Sequence, residues 1–270
     1  MGKLICFHYL KRYQMISNCI ILGSGRSGTS MAAGVLAKAG YFMGEKLYPG
    51  DEGNPKGYFE GKAVNDINED LLAQVVPNRP RILSNFIFRT RPVHGQRWLA
   101  RVQLGISIPC PPRIAERIKA LIARGPFCFK DPRFCYTLSV WRPFLRNTVY
   151  ICVFRHPGVT ATSILKECKR ERYLRNLSMS FNKALQVWEL MYTHALEIHY
   201  PQGGDWIFVH YNQFLDGSAF EILEKTLGVE VDRNFVDPRL KRSTTSNAVP
   251  QHTLSLYQKL CHLAGYRDPC

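Results

Sequence analysis

The sequence predicts an α/β fold, with a mainly parallel central sheet flanked by helices. Short apolar runs that read as buried strands alternate with segments whose apolar residues recur at helical spacing. A glycine-rich turn joins the first such strand to the first such helix. Of the 270 residues, 46% are hydrophobic, which supports one sizeable core. The chain is therefore expected to be a single domain over 1–270, with residues 1–16 as an N-terminal extension.

NCIIL (18–22) is the first expected strand, and TSMAAGVLAKAG (29–40) a helix stopped near Gly40. Residues 44–60, GEKLYPGDEGNPKGYFE, read as loop by their Gly, Pro and Asn content. KAVNDINEDLLAQVV (62–76) and RIAERIKALIAR (113–124) repeat apolar positions at helical spacing. PFCFK (126–130) and TVYICVF (148–154) are further strands, followed by helices at about 158–170 and 178–199. A strand WIFVHY (206–211), an irregular stretch over 232–250 and a helix TLSLYQKLCHLAG (253–265) complete the reading. In such a sheet, ligands sit at the carboxyl ends of the strands.

Thirty-six Lys and Arg against 21 Asp and Glu give a net charge of +15, a field that favours anionic ligands. Basic residues concentrate in 79–101 and 166–176. No zinc-ligand spacing, aromatic RNA-binding motif or basic heptad accompanies them, so nucleic acid is not the expected partner. No apolar run reaches the roughly 18 residues needed to span a bilayer. The nine cysteines form no CxxC and no disulfide spacing, which points to free thiols in a reducing compartment and to a cytoplasmic protein.

The turn GSGRSGTS (23–30) follows a strand and opens a helix. Gly23, Gly25 and Gly28 permit close backbone approach and unusual dihedrals. Amides from Ser27 to Ser30 would converge on an anion at the helix N-terminus. A nucleoside-triphosphate loop reads GxxxxGK followed by Ser or Thr; here Thr29 takes the lysine position and the cation is Arg26. A second site lies in FRHPGVTATS (154–163), where Arg155 ends a strand and Ser163 follows eight residues later. A forked guanidinium and a hydroxyl suit a terminal phosphate monoester.

Together these motifs resemble those of the sulfotransferases that use 3′-phosphoadenosine 5′-phosphosulfate (PAPS). GSGRSGTS is similar to their 5′-phosphosulfate loop, which would make Gly25, Arg26, Ser27, Gly28, Thr29 and Ser30 cofactor-binding. FRHPGVTATS is similar to their 3′-phosphate motif, with Arg155 and Ser163 at the matching spacing. FVHYNQFLDG (208–217) resembles a later segment whose tyrosine, here Tyr211, lies by the adenine. GNPKGYFE and FKDPR are similar to bacterial and carbohydrate-type branches, and arginine in the first loop also occurs in carbohydrate and protein-tyrosine branches. The likeness spans roughly 18–250 and implies a P-loop-type sulfotransferase architecture. The family's basic C-terminal motif is missing, and RLKRSTTSN (239–247) stands in its place, offering Lys241 and Arg242 as phosphate contacts.

The resemblance implies transfer of a sulfonate from PAPS to a hydroxyl or amine by in-line displacement, without a metal, releasing 3′,5′-ADP. Arg26, the loop amides and Lys130 would stabilise the growing negative charge. KDPRFC lacks the histidine that cytosolic members use as base, which leaves Glu60, at the end of NPKGYFE, as the expected general base. Asp66 and His156 are the alternatives. Asp131 and Arg133 are expected to form a local ion pair. A small-molecule, carbohydrate or lipid acceptor is expected, and Tyr and Phe within 41–59 and 173–192 can line its pocket or belong to the core. The competing reading is a P-loop nucleoside or small-molecule kinase using ATP and magnesium.

Overall fold

Strands buried on both faces need apolar side chains on both, and the inner positions of the four strands of this protein carry them, with polar residues confined to strand ends. The structure is a computed structural model that describes residues 16–77, 79, 89–240, 244, 245 and 247–268. The strands are β1 (Asn18–Leu22), β2 (Cys128–Lys130), β3 (Thr148–Phe154) and β4 (Asp205–His210). They form one all-parallel sheet in the order β2-β1-β3-β4. Alternation along each strand divides the core. Cys19, Ile21, Val149, Ile151, Val153, Ile207 and Val209 face one side, and Ile20, Leu22, Phe129, Tyr150, Cys152, Phe154 and Phe208 the other.

Helices α1 (Thr29–Leu36), α7 (Tyr211–Leu215) and α8 (Ser218–Leu227) cover the first side. On the second lie α2 (Lys62–Ala73), α3 (Pro112–Ile122), α4 (Phe134–Trp141), α5 (Pro157–Arg170), α6 (Phe181–Thr193) and α9 (Gln251–Leu263). Because β1 is central, the chain leaves it toward β2 on one flank and β3 on the other. That opens a crevice above the carboxyl end of β1. Among the described residues no helix is long and apolar enough to cross a membrane.

Several boundaries differ from the sequence reading. The first helix ends at Leu36, and a turn continues to Gly40. Strand β2 starts two residues later than expected because Pro126 has no N–H to donate, while the Phe127 amide is taken by the Asn18 side chain at 3.0 Å. Tyr211 opens α7 rather than ending a strand, since the His210 ring accepts the Asn212 amide and caps that helix. The 178–199 helix begins at Phe181, capped by Ser180, and finishes in a π-helical turn, His194–His199. Helices α4 and α8 were not expected at all. α4 is buried almost all round, so it carries no amphipathic period, and α8 is a short piece between the left-handed Gly217 and Gly228.

Candidate active site

The glycine-rich turn is shaped by close approaches that a side chain would forbid. A Cβ on Gly23 would lie 2.0 Å from the Val153 carbonyl oxygen, and one on Gly25 would lie 2.5 Å from the Trp98 ring. Gly28 has φ 98°, and a Cβ there would meet Tyr211 at 2.7 Å. Buried Tyr192 fastens the turn to β3: its hydroxyl accepts from the Ser24 amide at 3.0 Å and donates to Val153 O at 2.7 Å. Ser27 is fully buried, with its hydroxyl 3.4 Å from that of Thr160, so it faces α5 and offers the ligand its backbone alone. The turn delivers the chain into α1, whose first amides are free of intrahelical partners.

Around this turn is a cleft of about 580 Å³. Gly25, Arg26, Gly28, Thr29 and Ser30 line its floor, and Glu60, Lys130, Arg155, Ser163 and Tyr211 line its walls. The two flanks of the crevice carry different chemistry. On the β3 side, Arg26 sits at φ 71° and turns its guanidinium toward α5. Its Nε donates to Ser163 Oγ at 3.3 Å, its Nη2 donates to Gly53 O at 3.2 Å, and its Nη1 is 3.5 Å from Glu167 Oε2. Arg155 lies with its guanidinium 4.2 Å above the Tyr211 ring. Burial disfavours the Arg155 charge, Tyr211 favours it and neighbouring Arg26 opposes it, with the net effect of lowering its basicity.

On the β2 side, Lys130 is 2% exposed and donates to Glu60 Oε1 at 2.5 Å and Ser30 Oγ at 3.2 Å. Asn65, on the first turn of α2, donates to Glu60 Oε2 at 3.0 Å. Beneath Lys130 the chain turns through Asp131–Arg133, and the expected ion pair is present at 3.1 Å. It extends into a buried network. Asn68 donates to Asp131 at 3.1 Å, and Arg133 and Arg97 reach Glu69 at 2.7 and 2.8 Å. This network fixes the turn that aims Lys130 at the cleft.

The two alternative bases lie elsewhere. Asp66 is exposed on α2 and is not part of the cleft wall. His156 turns toward Tyr257 in a separate small pocket, and burial depresses its basicity. Lys241 and Arg242 lie outside the described residues. Tyr41 is core, whereas Tyr48, Tyr58 and Tyr173 line the cleft.

The sequence reading missed Glu167, Asn65 and Trp98, and it did not foresee that Tyr192, one of the aromatics offered for pocket or core, anchors the loop. Glu167 was accessible in principle, since it stands four residues after Ser163 on the same helical face. Trp98 and Tyr192 carry no local signal, because each reaches the loop from a distant part of the chain.

No family model and no curated protein matches this chain. By structure it is similar to the sulfotransferase domain from the Synechococcus PCC 7002 olefin synthase, with a TM-score of 0.52 and 16% identity over 93% of this chain and 95% of that one. It is also similar to the sulfotransferase domain from the curacin biosynthetic pathway, with a TM-score of 0.50 and 16% identity over 94% of this chain and 99% of that one. The chain has the fold of these sulfotransferase domains.

Proposed function

We propose that the protein transfers a sulfonate group from PAPS to a hydroxyl or amine of a small-molecule, carbohydrate or lipid acceptor and releases 3′,5′-ADP. The observation that carries this reading is the division of labour across the loop. Arg26 reaches the β3 flank, where Ser163 and Arg155 gather, and Ser30 touches Lys130 on the β2 flank, where Glu60 waits. A nucleotide with anionic groups at both ends fits such a site. Its 3′-phosphate meets Arg155 and Ser163, its 5′-phosphosulfate meets the loop amides, and Tyr211 flanks the base.

In the reaction the acceptor oxygen or nitrogen attacks sulfur while the bond from sulfur to the bridging phosphate oxygen breaks. The acceptor proton passes to Glu60, whose Oε2 is steadied by Asn65. Negative charge grows on the bridging and peripheral oxygens, where Lys130 and the loop amides stabilise it, whereas Arg26, expected from the sequence to act there, is turned to Ser163 and so serves the 3′-phosphate. Lys130 thus serves both partners, holding the carboxylate before the acceptor arrives and facing the leaving oxygen afterwards.

The kinase reading has less support. Thr29 replaces the loop lysine, and Asp131, which would be the metal-holding carboxylate after β2, is committed to Arg133 and Asn68. PAPS incubated with the protein and a panel of phenolic, sugar and lipid alcohols tests the proposal. The expected result is acceptor-dependent formation of 3′,5′-ADP, read by mass spectrometry. Consumption of ATP with phosphorylation of an acceptor, and no use of PAPS, would refute it.

A further inference from the structure

An anion site is expected to be lined by cations and amides, yet this one contains a buried carboxylate. Glu167 stands one helical turn beyond Ser163 on α5, and its side chain is 4% exposed. Its Oε2 accepts from Arg170 Nη2 at 2.5 Å and faces Arg26 Nη1 at 3.5 Å. The Tyr58 hydroxyl bridges to it at 3.4 Å from Asp51. Ligand-capable oxygens of Asp51, Glu167 and Glu171 all lie within 4.8 Å of one another. Arg170 satisfies this cluster from the far side, with 2.8 Å to Glu171 and 3.9 Å to Asp51. Arg26 is already fixed by Ser163 and Gly53, so Glu167 is not needed to place it.

We propose that Glu167 sets the affinity of the nucleotide site: its carboxylate neutralises Arg26 in the free protein and opposes the ligand's anion at Arg26, Arg155 and Ser163. The bound nucleotide is then held less tightly than the donor set alone would hold it, which favours release of product. This rests on the nucleotide reading above. A phosphate at Ser163 lies one turn from Glu167 in a region where solvent screens poorly, so like charges there repel appreciably.

The same geometry links affinity to pH. Burial raises the Glu167 carboxyl above its ordinary range, Arg26 and Arg170 pull it down, and Asp51 and Glu171 push it up. Tyr58, Cys168 and Tyr173 complete the titratable groups that face it. An arriving phosphate raises it further, so falling pH protonates Glu167 more readily in the complex than in the free protein. Falling pH therefore removes the opposition, and it does so in the complex first.

Calorimetric titration of wild type and Glu167→Gln with 3′,5′-ADP and with 5′-AMP tests this. Glutamine keeps size and one acceptor oxygen but not charge. At pH 7.5 it should bind 3′,5′-ADP ~5–20-fold more tightly, while 5′-AMP changes by less than ~2-fold. The wild-type-to-variant ratio should shrink toward one at pH 5.5, and using the ratio cancels titration of the ligand itself. Glu167→Met, uncharged and helix-compatible, should shift in the same direction and carries the test if the glutamine variant folds poorly; Glu167→Asp should not tighten binding. Equal or weaker 3′,5′-ADP binding by the uncharged variants overturns the proposal alone, because an ordinary packing role predicts weakening. Failure of wild type to bind 3′,5′-ADP overturns it together with the nucleotide reading.

Discussion

Arg155→Ala should separate recognition of a 3′-phosphate from general integrity of the cleft. Arg155 is 8% exposed, and its guanidinium lies 4.2 Å from the Tyr211 ring centre. Its backbone is anchored independently of its side chain, since the Trp188 indole donates to its carbonyl at 3.1 Å. Removing the fork forfeits hydrogen bonds to a charged group, worth about 1.5–3 kcal/mol. At ~1.4 kcal/mol per decade that is a ~12–150-fold loss of affinity. The stacking on Tyr211, worth about 0.5–1 kcal/mol, is lost from the folded protein rather than from the ligand, so it lowers stability without entering this ratio. Isothermal calorimetry with 3′,5′-ADP and 5′-AMP gives both numbers. The expected outcome is a loss of that size for 3′,5′-ADP and at most ~2-fold for 5′-AMP. Equal losses for the two nucleotides, or none for either, would refute the placement of the phosphate.

Glu60→Gln keeps the size of the group facing Lys130 and Asn65 but removes its basicity. With a working acceptor, kcat should fall by ~10²–10⁴-fold while 3′,5′-ADP affinity stays within ~2-fold; undiminished turnover would show that the base lies elsewhere. Glu69 gives a prediction about stability. Burial opposes its charge, but Arg133 and Arg97 more than offset this and hold its carboxyl below the ordinary range. Its contribution is therefore complete above the unfolded value of ~4.3 and is lost as pH falls through the lower folded value. Urea unfolding across pH 3–7 should show wild type losing this component below about pH 4.3. Glu69→Gln should be less stable at neutral pH by about 3–5 kcal/mol and should lack that component, because Arg133 and Arg97 are left buried with less counter-charge. Parallel pH profiles for the two proteins would contradict this.

Local patterns in the sequence carried much of the fold. The apolar runs of β1, β3 and β4 and the strand-turn-helix at 18–36 are legible without tertiary information, because a parallel strand must be apolar on both faces. α4 was not legible, because its FCYTLSVW is apolar and aromatic throughout and gives no period to read. The site divides the same way. Arg26, Arg155 and Lys130 stand at strand ends and turns, and Ser163 follows Arg155 on the next helix, where type and spacing speak for themselves. The orientation of Arg26 could not be read, because it depends on Gly53 and Ser163, which come from two distant segments. Nor could the pairing of Glu60 with Lys130, 70 residues apart, be foreseen from either motif alone.

The central claim is a site built for a nucleotide bearing both a 3′-phosphate and a 5′-phosphate or phosphosulfate. The most direct test is a thermal-shift comparison of 3′,5′-ADP, 5′-AMP and ATP with magnesium, in chelator-treated buffer for the first two. The account predicts that 3′,5′-ADP raises the melting temperature without added metal, with a shift clearly larger than that of 5′-AMP or ATP with magnesium. Stabilisation by ATP with magnesium and none by 3′,5′-ADP would contradict it.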